Sequence, residues 1–490
     1  MLKSIKQFIE TLNEKNILYC HWKSNEHLSE SLNGKTDLDM LFHYPQRSQL
    51  EEVLSICGLK RFRACFLMQY NTIEDYVGFD KDSASIWHVH IHYKLTLGEK
   101  YIKGYTLPWD GYLLSRRISD KASGIYCSNP NDEYLLLLIR MSLKLRWRDI
   151  PGRLSSGDVR ELNWLKERCS NDGVAESADT LLKNSAKHIK RLLNQRIEYK
   201  NQLFSLQRAL RRELSHFTSL NLFSSYIKRT GLELLRYING FKRKHIKYDK
   251  PFRRLSPSGG LIVAILGSDG SGKSTTVSYL RKEFGKKIDC VTVYLGGDSS
   301  LHKIYRAYKK TIRIKRNKPE NANGETIAPV DRVGNPSNKL GINNAGKIIY
   351  SIAIALRKRK KLRLAYKARN NGLLVITDRY PQVDFLGGVS DSPLLSSYLK
   401  NKKGILKAIA AWEYGIYRKA YINPPDLVIK LQVPSELALE RDSEITIDLL
   451  ERKINAVKAI RLSDNTFEVD TSQDKINSFG EVMEIIWKHI

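Results

Sequence analysis

The pattern of apolar and polar positions changes along the chain, and its first part mixes two periods. Residues 86–93 (Ile-Trp-His-Val-His-Ile-His-Tyr) alternate between apolar and polar side chains, which predicts a half-buried strand. Residues 132–140 form an apolar run with two acidic residues at its start, which predicts a buried helix. Residues 1–170 are therefore predicted to form one α+β domain.

Residues 171–255 have helical spacing and are crowded with Lys and Arg. Between 176 and 250 the sequence has few Gly and no Pro, which favours continuous helices over a flexible tether. The segment Leu-Ser-Pro-Ser-Gly-Gly at 255–260 then breaks this pattern. We therefore predict a basic helical linker over 171–255 and a domain boundary at its end.

Beyond this boundary, short apolar runs alternate with helical stretches. The candidate strands are 261–266, 290–295, 373–377, 427–432 and 466–469. Apolar strands separated by helices predict a parallel sheet covered on both faces, so 256–490 is predicted to be a three-layer α/β domain. Residues 315–345, rich in Asn, Gly, Pro and Lys, are predicted to be a mobile insertion.

The composition is that of a globular protein with an unusually high positive charge. The chain has 490 residues, of which 42% are hydrophobic, and a net charge of +30. Nucleic acid, an anionic membrane surface and phosphorylated substrates are three candidate partners, and a solvated helix surface is the alternative. No nucleic-acid recognition module is present, so nucleic acid is disfavoured. The basic linker, where cations are mixed with Leu, Phe and Tyr, favours peripheral contact with anionic lipid.

The location predicted for the chain is cytoplasmic. The first residues read as an amphipathic helix without the apolar core of a signal peptide, and no stretch reaches the roughly 18 apolar residues of a membrane span. Six cysteines are scattered without a C-x-x-C pair, which fits reduced thiols. The sequence does not indicate an oligomeric state.

Residues 267–275 carry the strongest chemical signal, a phosphate-binding loop. Their sequence fits G-x-x-x-x-G-K-[ST] and stands between an apolar strand and a helical stretch. Its two inner glycines let backbone N–H groups converge on phosphate oxygens, its lysine neutralises the β- and γ-phosphates, and its serine hydroxyl binds magnesium. ATP and Mg²⁺ are the predicted cofactors. The predicted binding residues are Gly267, Ser268, Asp269, Gly270, Ser271, Gly272, Lys273, Ser274 and Thr275.

A second element follows the candidate strand at 373–377. Asp378 and Arg379 stand at the carboxyl end of this strand, where ligands gather in an open parallel sheet. Asp378 is predicted to hold magnesium with Ser274, and the planar fork of Arg379 suits an acceptor phosphate. The alternative is a surface ion pair that closes the strand.

Residues 261–490 resemble the thymidylate kinase family within the nucleoside-monophosphate kinases. The resemblance rests on the loop at 268–275, the strand that ends in Asp-Arg-Tyr at 378–380, the run at 425–434 that leads into Glu-Leu-Ala-Leu-Glu-Arg at 436–441, and Val-Asp-Thr-Ser at 469–472. It implies phosphoryl transfer from ATP to a nucleoside monophosphate, as in the conversion of dTMP to dTDP.

The same resemblance assigns roles to single residues. It implies that Lys273, Asp378, Arg379 and Arg441 are catalytic. It implies further that Arg441, Arg452 and Lys453 lie in or near a lid over ATP. In this family the helix that corresponds to the basic stretch at 354–366 places an arginine in the substrate pocket, which makes Arg357 or Arg359 a candidate.

The sequence after Tyr380 departs from this family. Thymidylate kinases continue with a serine-rich helix that contains Ala-Tyr-Gln and grips the acceptor, whereas this chain continues with Pro-Gln-Val-Asp-Phe-Leu-Gly-Gly. The identity of the acceptor is therefore open. The chain is similar in this respect to larger two-domain, thymidylate-kinase-like proteins found among bacterial surface-polysaccharide functions.

The amino-terminal domain has a candidate site of its own. Asp37 and Asp39 are two residues apart on a predicted strand, hence on one face, where they could hold a magnesium ion. This resembles the nucleotidyltransferase superfamily, in which a third acid follows on a later strand. Here that position is occupied by His90. His88, His90 and His92 alternate on one face and are a further candidate metal-binding row. The alternatives are that these histidines only line a pocket or meet solvent, and that Asp37 and Asp39 are an exposed strand end.

Three functions follow from these features. The first is an ATP-dependent kinase for a small phosphorylated or hydroxyl-bearing acceptor. The second is a nucleotide-gated binding or scaffold protein at a membrane or nucleic acid. The third is a bifunctional kinase and nucleotidyltransferase in surface-polysaccharide synthesis.

Overall fold

We analysed a computed structural model of the chain. It describes residues 1–66, 68–70, 72–99, 101–218, 220–245, 250–297, 342–386, 391–400, 404–441 and 446–490. The predicted insertion at 315–345 lies outside these residues except for its last four positions, which begin a helix.

The described residues divide into two compact units. The first unit contains Met1–Pro257 and Lys287–Asp289, and the second contains Ser258–Lys286 and Cys290–Ile490. No helix among the described residues is both long and apolar enough to cross a membrane. All six cysteines are free thiols.

The first unit is built on a mixed sheet. Its strands are β1 (Tyr19–His21), β2 (Leu38–Phe42), β3 (Lys60–Ala64), β4 (Ile73–Asp80), β5 (Ser85–His92), β6 (Leu95–Leu97), β7 (Tyr105–Leu107), β8 (Ile118–Ser119), β9 (Tyr126–Cys127) and β10 (Arg254–Leu255). Eight of them pair in the order β10-β3-β4-β5-β2-β1-β9-β8, and β6 pairs with β7. Strand β5 contains the alternating run that predicted it.

Helices of the first unit cover this sheet and continue beyond it. They are α1 (Lys3–Glu14), α2 (Leu28–Leu32), α3 (Arg47–Ile56), α4 (Asp110–Ser115), α5 (Pro130–Lys144), α6 (Ser156–Lys166), α7 (Asn171–Leu181), α8 (Ala186–Leu193), α9 (Phe204–Glu213) and α10 (Leu222–His245). Helix α1 buries Ile5, Phe8, Ile9 and Leu12, whose spacing of three and four residues puts them on one face. Helix α5 is buried along most of its length, as its apolar run predicts.

The second unit is built on a parallel sheet. Its strands are β11 (Leu261–Gly267), β12 (Cys290–Tyr294), β13 (Leu374–Asp378), β14 (Leu427–Gln432) and β15 (Thr466–Asp470). They pair in the order β12-β13-β11-β14-β15, and every pair is parallel. The predicted parallel sheet is thus confirmed, and each of its five predicted strands agrees with an observed strand to within one residue at either end.

The helices of the second unit lie between and after these strands. They are α11 (Lys273–Lys287, whose last residue is counted with the first unit), α12 (Ile342–Asn370), α13 (Ile405–Ile422), α14 (Ser435–Arg441), α15 (Ile447–Ala459) and α16 (Lys475–His489). Since β11 and β13 are adjacent and parallel, the loop after β11 and the end of β13 meet at one edge of the sheet. The candidate site lies at this edge.

Candidate functional site

The loop between β11 and α11 has the backbone of a phosphate cradle. Gly270 and Gly272 have φ angles of +76° and +83°, a region that glycine enters without strain. A Cβ atom at Gly270 would lie 2.4 Å from the carbonyl oxygen of Ala438, so no side chain fits there. The sequence folds this way because β11 runs directly into the glycines and Lys273 then begins α11, whose N-terminal N–H groups favour an anion.

Lys273 is held inside this loop. Its side chain donates a hydrogen bond to the carbonyl oxygen of Ser268, and the residue is only 7% exposed. Burial, with a contribution from the nearby charge of Arg379, lowers the pKa of Lys273 to about 8. A buried ammonium group with few protein partners gains strongly from an anion, which is the role predicted for this residue.

The structure brings together the two residues predicted to hold magnesium. The Ser274 hydroxyl donates to Oδ2 of Asp378 over 3.0 Å. Oδ1 of Asp378 is buried and has no hydrogen-bond partner among the described residues, a state that is costly for a carboxylate oxygen. A hydroxyl and a carboxylate oxygen are ligands that Mg²⁺ accepts, so these residues fit the ion.

Arg379 and Lys453 converge on Asp269 of the loop. Arg379 donates to one carboxylate oxygen over 3.1 Å, and Lys453 to the other over 2.5 Å. Burial alone would raise the pKa of Asp269, but the hydrogen bond and charge of Lys453 and the charge of Arg379 outweigh it and lower this pKa. Arg379 has a φ of +69°, uncommon for a residue with a side chain. Both cations predicted from the sequence therefore reach the loop.

Arg441 contacts the loop from the other side. Its guanidinium lies 3.5 Å from the carbonyl oxygen of Gly270 and donates to that of Thr471 over 3.1 Å. It borders a cleft of about 350 Å³ that Thr275 and Phe479 also line. Such a cleft next to a phosphate cradle has room for the base and sugar of a nucleotide. Arg452, the third residue predicted in the lid, is exposed.

A carboxylate that the sequence did not single out faces Arg379. Asp391 lies 3.5 Å from Arg379 and 2.9 Å from Lys358, and both Asp391 and Lys358 are more than nine-tenths buried in their side chains. Lys358 Nζ also lies 5.0 Å from the centroid of the Tyr417 ring. This arrangement forms a second polar centre beside the loop, on the side of Arg379.

The segment after Tyr380 and the basic helix differ from what the family resemblance implies. Residues 379–386 contain no helix, whereas thymidylate kinases place their acceptor-gripping helix there. On α12, Arg357 and Arg359 are exposed while Lys358 between them is buried. The buried cation of this helix is therefore Lys358. The sequence signal for it was weak, because five cations stand in a row at 357–361.

In the first unit, Asp39 lies in a row of acidic and imidazole side chains across three strands. Asp39 on β2 pairs in register with His90 on β5, which pairs in turn with Asp75 on β4. The two ring nitrogens of His90 lie 3.1 Å from Asp39 and 3.2 Å from Asp75, and His92 lies 3.3 Å from Asp39. Burial would lower the pKa of His90, but the bonds to the two carboxylates raise it.

Asp37 extends this row on the other side of His88. The ring nitrogens of His88 lie 3.1 Å from Asp37 and 2.8 Å from Asp75. Asp75 on β4 is therefore a third carboxylate of this row. It was missed because an Asp in the strand Ile73–Asp80 carries no motif of its own.

Each carboxylate of this row also has a cationic partner within the first unit. Lys23 lies 2.8 Å from Asp39, Arg254 lies 2.9 Å from Asp75, and Lys287 contacts Asp37. Burial alone would raise the pKa of Asp39, but the charge of Lys23 and hydrogen bonds from two histidines lower it. The row is thus nearly neutral as it stands.

The chemistry of this row bears on the predicted metal ligands. Asp37 with His88 and His90, and Asp39 with His90 and His92, place their donor atoms within 4.8 Å of one another. Imidazole suits zinc, copper, iron or nickel better than magnesium. Magnesium binding at Asp37 and Asp39 stays a prediction, as does the nucleotidyltransferase resemblance.

Comparisons with known proteins agree with a P-loop kinase-like region. No protein-family model matches the chain. The uncharacterized ATP-binding protein YghS of Escherichia coli K12 is 28% identical over 198 residues, which cover 39% of this chain and 78% of that protein. The thymidylate kinase of Thermosipho africanus is 24% identical over 243 residues, 47% of this chain and 99% of the kinase.

Among solved structures, the thymidylate kinase of Candida albicans has 16% identity and a TM-score of 0.27, and covers 47% of this chain and 92% of its own. A likeness this low establishes nothing further. The sequence relatives and the parallel sheet with its phosphate loop support a nucleotide-binding, kinase-like region with ATP as the nucleotide.

Proposed function

We propose that the second unit transfers the γ-phosphoryl group of ATP to a small acceptor, in the first instance a nucleoside monophosphate. The observation that carries this proposal is the convergence of Lys273, the Ser274–Asp378 pair and Arg379 at one edge of the sheet. A binding protein needs the phosphate cradle alone, whereas a kinase needs charge on the acceptor side as well.

The donor half of the reaction uses the loop. Backbone N–H groups at the start of α11 and the Lys273 ammonium bind the β- and γ-phosphates, which requires the lysine to leave its bond to Ser268. Ser274 and Asp378 would hold magnesium, which supplies charge neutralisation between the two phosphates. Arg441 borders the cleft that fits the nucleoside part of ATP.

The acceptor half uses Arg379. Its guanidinium reaches towards the loop through Asp269 and towards Lys358 through Asp391. It therefore lies where the transferred group passes from donor to acceptor, and its fork can bind the equatorial oxygens of that group or the phosphate of the acceptor. The non-helical segment after Tyr380 supports an acceptor other than dTMP, because the helix that grips dTMP in thymidylate kinases has no counterpart at 379–386.

The test is a screen for ADP formation by the purified full-length chain. Mg-ATP is offered with each nucleoside monophosphate, with sugar phosphates and with unphosphorylated sugars and nucleosides. We expect one class to raise ADP formation well above the hydrolysis seen with ATP alone, and the phosphorylated product to appear by mass spectrometry. ADP formation that no acceptor changes would contradict the proposal and leave a nucleotide-gated binding protein as the better explanation.

A further inference from the structure

Two cations of the first unit lie near the buried side chain of Trp22, and two further lysines lie near these cations. Lys23 Nζ lies 5.1 Å and Arg140 Cζ lies 5.9 Å from the centroid of the Trp22 ring. Lys103 and Lys144 lie near enough for their charges to act on each other and on Lys23. Burial and these neighbouring cations lower the pKa of Lys103 to about 7 and that of Lys144 to about 8. We call these five residues the Trp22 cluster.

The carboxylates near the Trp22 cluster neutralise only part of it. Asp39 is bonded to Lys23 at 2.8 Å, and Glu161 lies 3.7 Å from Arg140. Lys144 has no salt bridge to any described carboxylate, and its charge is offset only at longer range by Asp158 and Glu161.

Lys103 also lacks a carboxylate partner among the described residues. Its Nζ lies 4.4 Å from the ring centroid of Tyr70, and no carboxylate in the described part of the chain reaches it within salt-bridge distance. Lys103 is half-buried. Lys144 is exposed as a whole residue, although packing around its ammonium group lowers its pKa, so solvent molecules and ligands have access to both. Two unpaired cations held close to two others cost electrostatic energy, and an anion would recover it.

Two buried N–H donors of the Trp22 cluster also lack a hydrogen-bond partner in the described structure. Trp22 is 1% exposed, and its indole Nε1–H has no acceptor among the described residues. One terminal nitrogen of Arg140 is also buried without a hydrogen bond. Native structures leave few buried donors without a hydrogen bond. A bound molecule can supply the missing acceptors.

We propose that the Trp22 cluster binds the phosphate groups of a small phosphorylated molecule. A phosphate offers several oxygens and more than one negative charge, which matches several N–H donors better than one carboxylate does. The site lies wholly in the first unit and is independent of the phosphate loop that begins at Gly267. It does not depend on the proposed kinase reaction.

The test measures pyrophosphate binding by isothermal titration calorimetry. The full-length chain carries Lys273→Ala, which weakens binding at the phosphate loop. In this background, Lys103→Ala with Lys144→Ala is compared with Lys15→Ala and Lys187→Ala, two exposed lysines of the first unit. Each pair replaces two lysines of the first unit with alanine, so the two variants match in the number and kind of changes.

We expect pyrophosphate affinity to fall by about tenfold or more for the Lys103 and Lys144 pair and to stay within about twofold for the control pair. A nucleoside triphosphate and a sugar phosphate, titrated in parallel, distinguish which kind of molecule carries the phosphate. Equal affinities in the two pairs, or no pyrophosphate binding in the background chain, would overturn the proposal. If the double variant does not fold, as judged by its melting temperature, the single Lys103→Gln variant replaces it.

Helix α10 carries an independent feature, an apolar face directed to solvent. Phe223, Ile227, Leu234 and Tyr237 are 75%, 55%, 59% and 76% exposed. Their spacings of four, seven and three residues place them on one stripe at 100° per residue. Tyr226, at 67% exposure, borders the same stripe.

The opposite face of α10, which packs on the first unit, is polar. Arg229 is 4% exposed and lies 3.5 Å from Glu99 and 3.4 Å from Glu233. Arg236 lies 4.7 Å from the ring centroid of Tyr101. A surface helix normally packs its apolar side inward and exposes its polar side. Helix α10 does the opposite, because its polar side packs inward and its apolar side is exposed.

We infer that this stripe lies against an anionic membrane surface. The helix contains six Lys and Arg but a single Glu, and the whole chain has a net charge of +30, so its charge is complementary to acidic lipid. Exposed Phe, Tyr, Ile and Leu side chains beside cations are what an interfacial helix inserts between lipid headgroups. The same charge disfavours a second copy of this chain as the occupant, because two basic helices repel.

Flotation of the full-length chain with vesicles tests this inference. We expect binding to vesicles of phosphatidylcholine with phosphatidylglycerol and much weaker binding to phosphatidylcholine alone. Ile227→Gln with Leu234→Gln should lower the partition coefficient about tenfold or more, because each side chain loses its burial in lipid. Ile56→Gln with Ile118→Gln, which changes two exposed isoleucines at 59% and 43%, should leave it unchanged.

Three results would overturn this inference. They are no binding to acidic vesicles, equal binding by both variant pairs, and a dimer that the Ile227 and Leu234 changes dissociate without effect on vesicle binding. Light scattering on the same samples gives the oligomeric state.

Discussion

The two oxygens of the Asp378 carboxylate have different surroundings, and this difference predicts a metal dependence. Oδ2 accepts from Ser274, while Oδ1 is buried without a partner in the described structure. With ATP at a fixed concentration, Asp378→Asn should raise by about 10- to 100-fold the magnesium concentration at which the melting temperature increases. The reason is that an amide is a poorer magnesium ligand than a carboxylate. The measurement is a magnesium titration at fixed ATP. Asp464→Asn, an exposed carboxylate of the same unit, is the control, and an equal effect of both changes would contradict the assignment.

Lys273 is predicted to contribute charge rather than structure. Lys273→Ala should lower kcat for ADP formation by about 10²- to 10³-fold, the usual effect of removing one charge-stabilising group from a transition state. Steady-state kinetics with the acceptor found in the screen give this value. Lys282→Ala changes an exposed lysine of the same helix and should keep full activity. A Lys273→Ala enzyme within a few-fold of the unaltered chain would exclude the loop from catalysis.

A substitution at Asp391 tests whether the acceptor carries a phosphate group. Its carboxylate neutralises both Lys358 and Arg379, so a phosphate on the acceptor must compete with it. Asp391→Asn should therefore lower KM for a phosphorylated acceptor several-fold and leave kcat within a few-fold. A kcat that collapses at unchanged KM would instead indicate that Asp391 accepts a proton from a hydroxyl acceptor.

At the scale of elements, the turn from β11 into α11 contains two glycines with positive φ, and Gly270 is the one with no space for a Cβ atom. Gly270→Ala places a Cβ atom 2.4 Å from the Ala438 carbonyl oxygen at a φ of +76°. The backbone conformation alone costs about 1–3 kcal/mol, so the free energy of unfolding should fall by at least this amount and ATP binding should be lost. Gly285→Ala is the matched control. Gly285 lies on the same helix, and a Cβ atom there would meet nothing within 4 Å. This change should therefore raise the free energy of unfolding by about 0.5–1 kcal/mol. Chemical denaturation measures both, and equal effects would show that the turn tolerates a side chain.

The sheet and the loop of the second unit could be predicted from the sequence because their signals are local. Strand β11 is a run of apolar residues, and the glycines and Lys273 follow it without a gap. Asp391 and Lys358 are different, since 33 positions separate them and only the packing of α12 brings them together. The same holds for Asp75, which meets His88 and His90 only through the register of β4 with β5. Side chains whose roles depend on such long-range pairing carry no spacing that a single sequence reveals.

The sequence also could not show that the apolar stripe of α10 faces solvent. Periodicity shows that the helix has an apolar side, but amphipathic helices normally turn that side inward. Only the burial of Arg229 and the exposure of Phe223 show that the reverse holds here. The sequence predicted a basic helical region with a lipid partner, and that partner remains a prediction.

At the scale of the whole molecule, the division into two units predicts where ATP acts. The phosphate loop, Asp378 and Arg379 all belong to the second unit. ATP with magnesium should therefore slow amide hydrogen exchange in β11, α11 and β13. In β5 and α5 of the first unit, exchange should be unchanged. At an ATP concentration 100 times its Kd, stabilisation of the bound unit is about 2.7 kcal/mol, which corresponds to a roughly 100-fold slower exchange for amides that open only when that unit unfolds.

Hydrogen exchange followed by mass spectrometry locates this change by peptide. Lys273→Ala should remove it, which ties the slowing to the phosphate loop. Slowing of the same size in β5 would show that the two units unfold as one, since a ligand stabilises every amide that opens in the same cooperative event. Slowing in β5 that persists with Lys273→Ala would instead place a nucleotide site in the first unit, and its loss with Lys103→Ala and Lys144→Ala would assign that site to the Trp22 cluster.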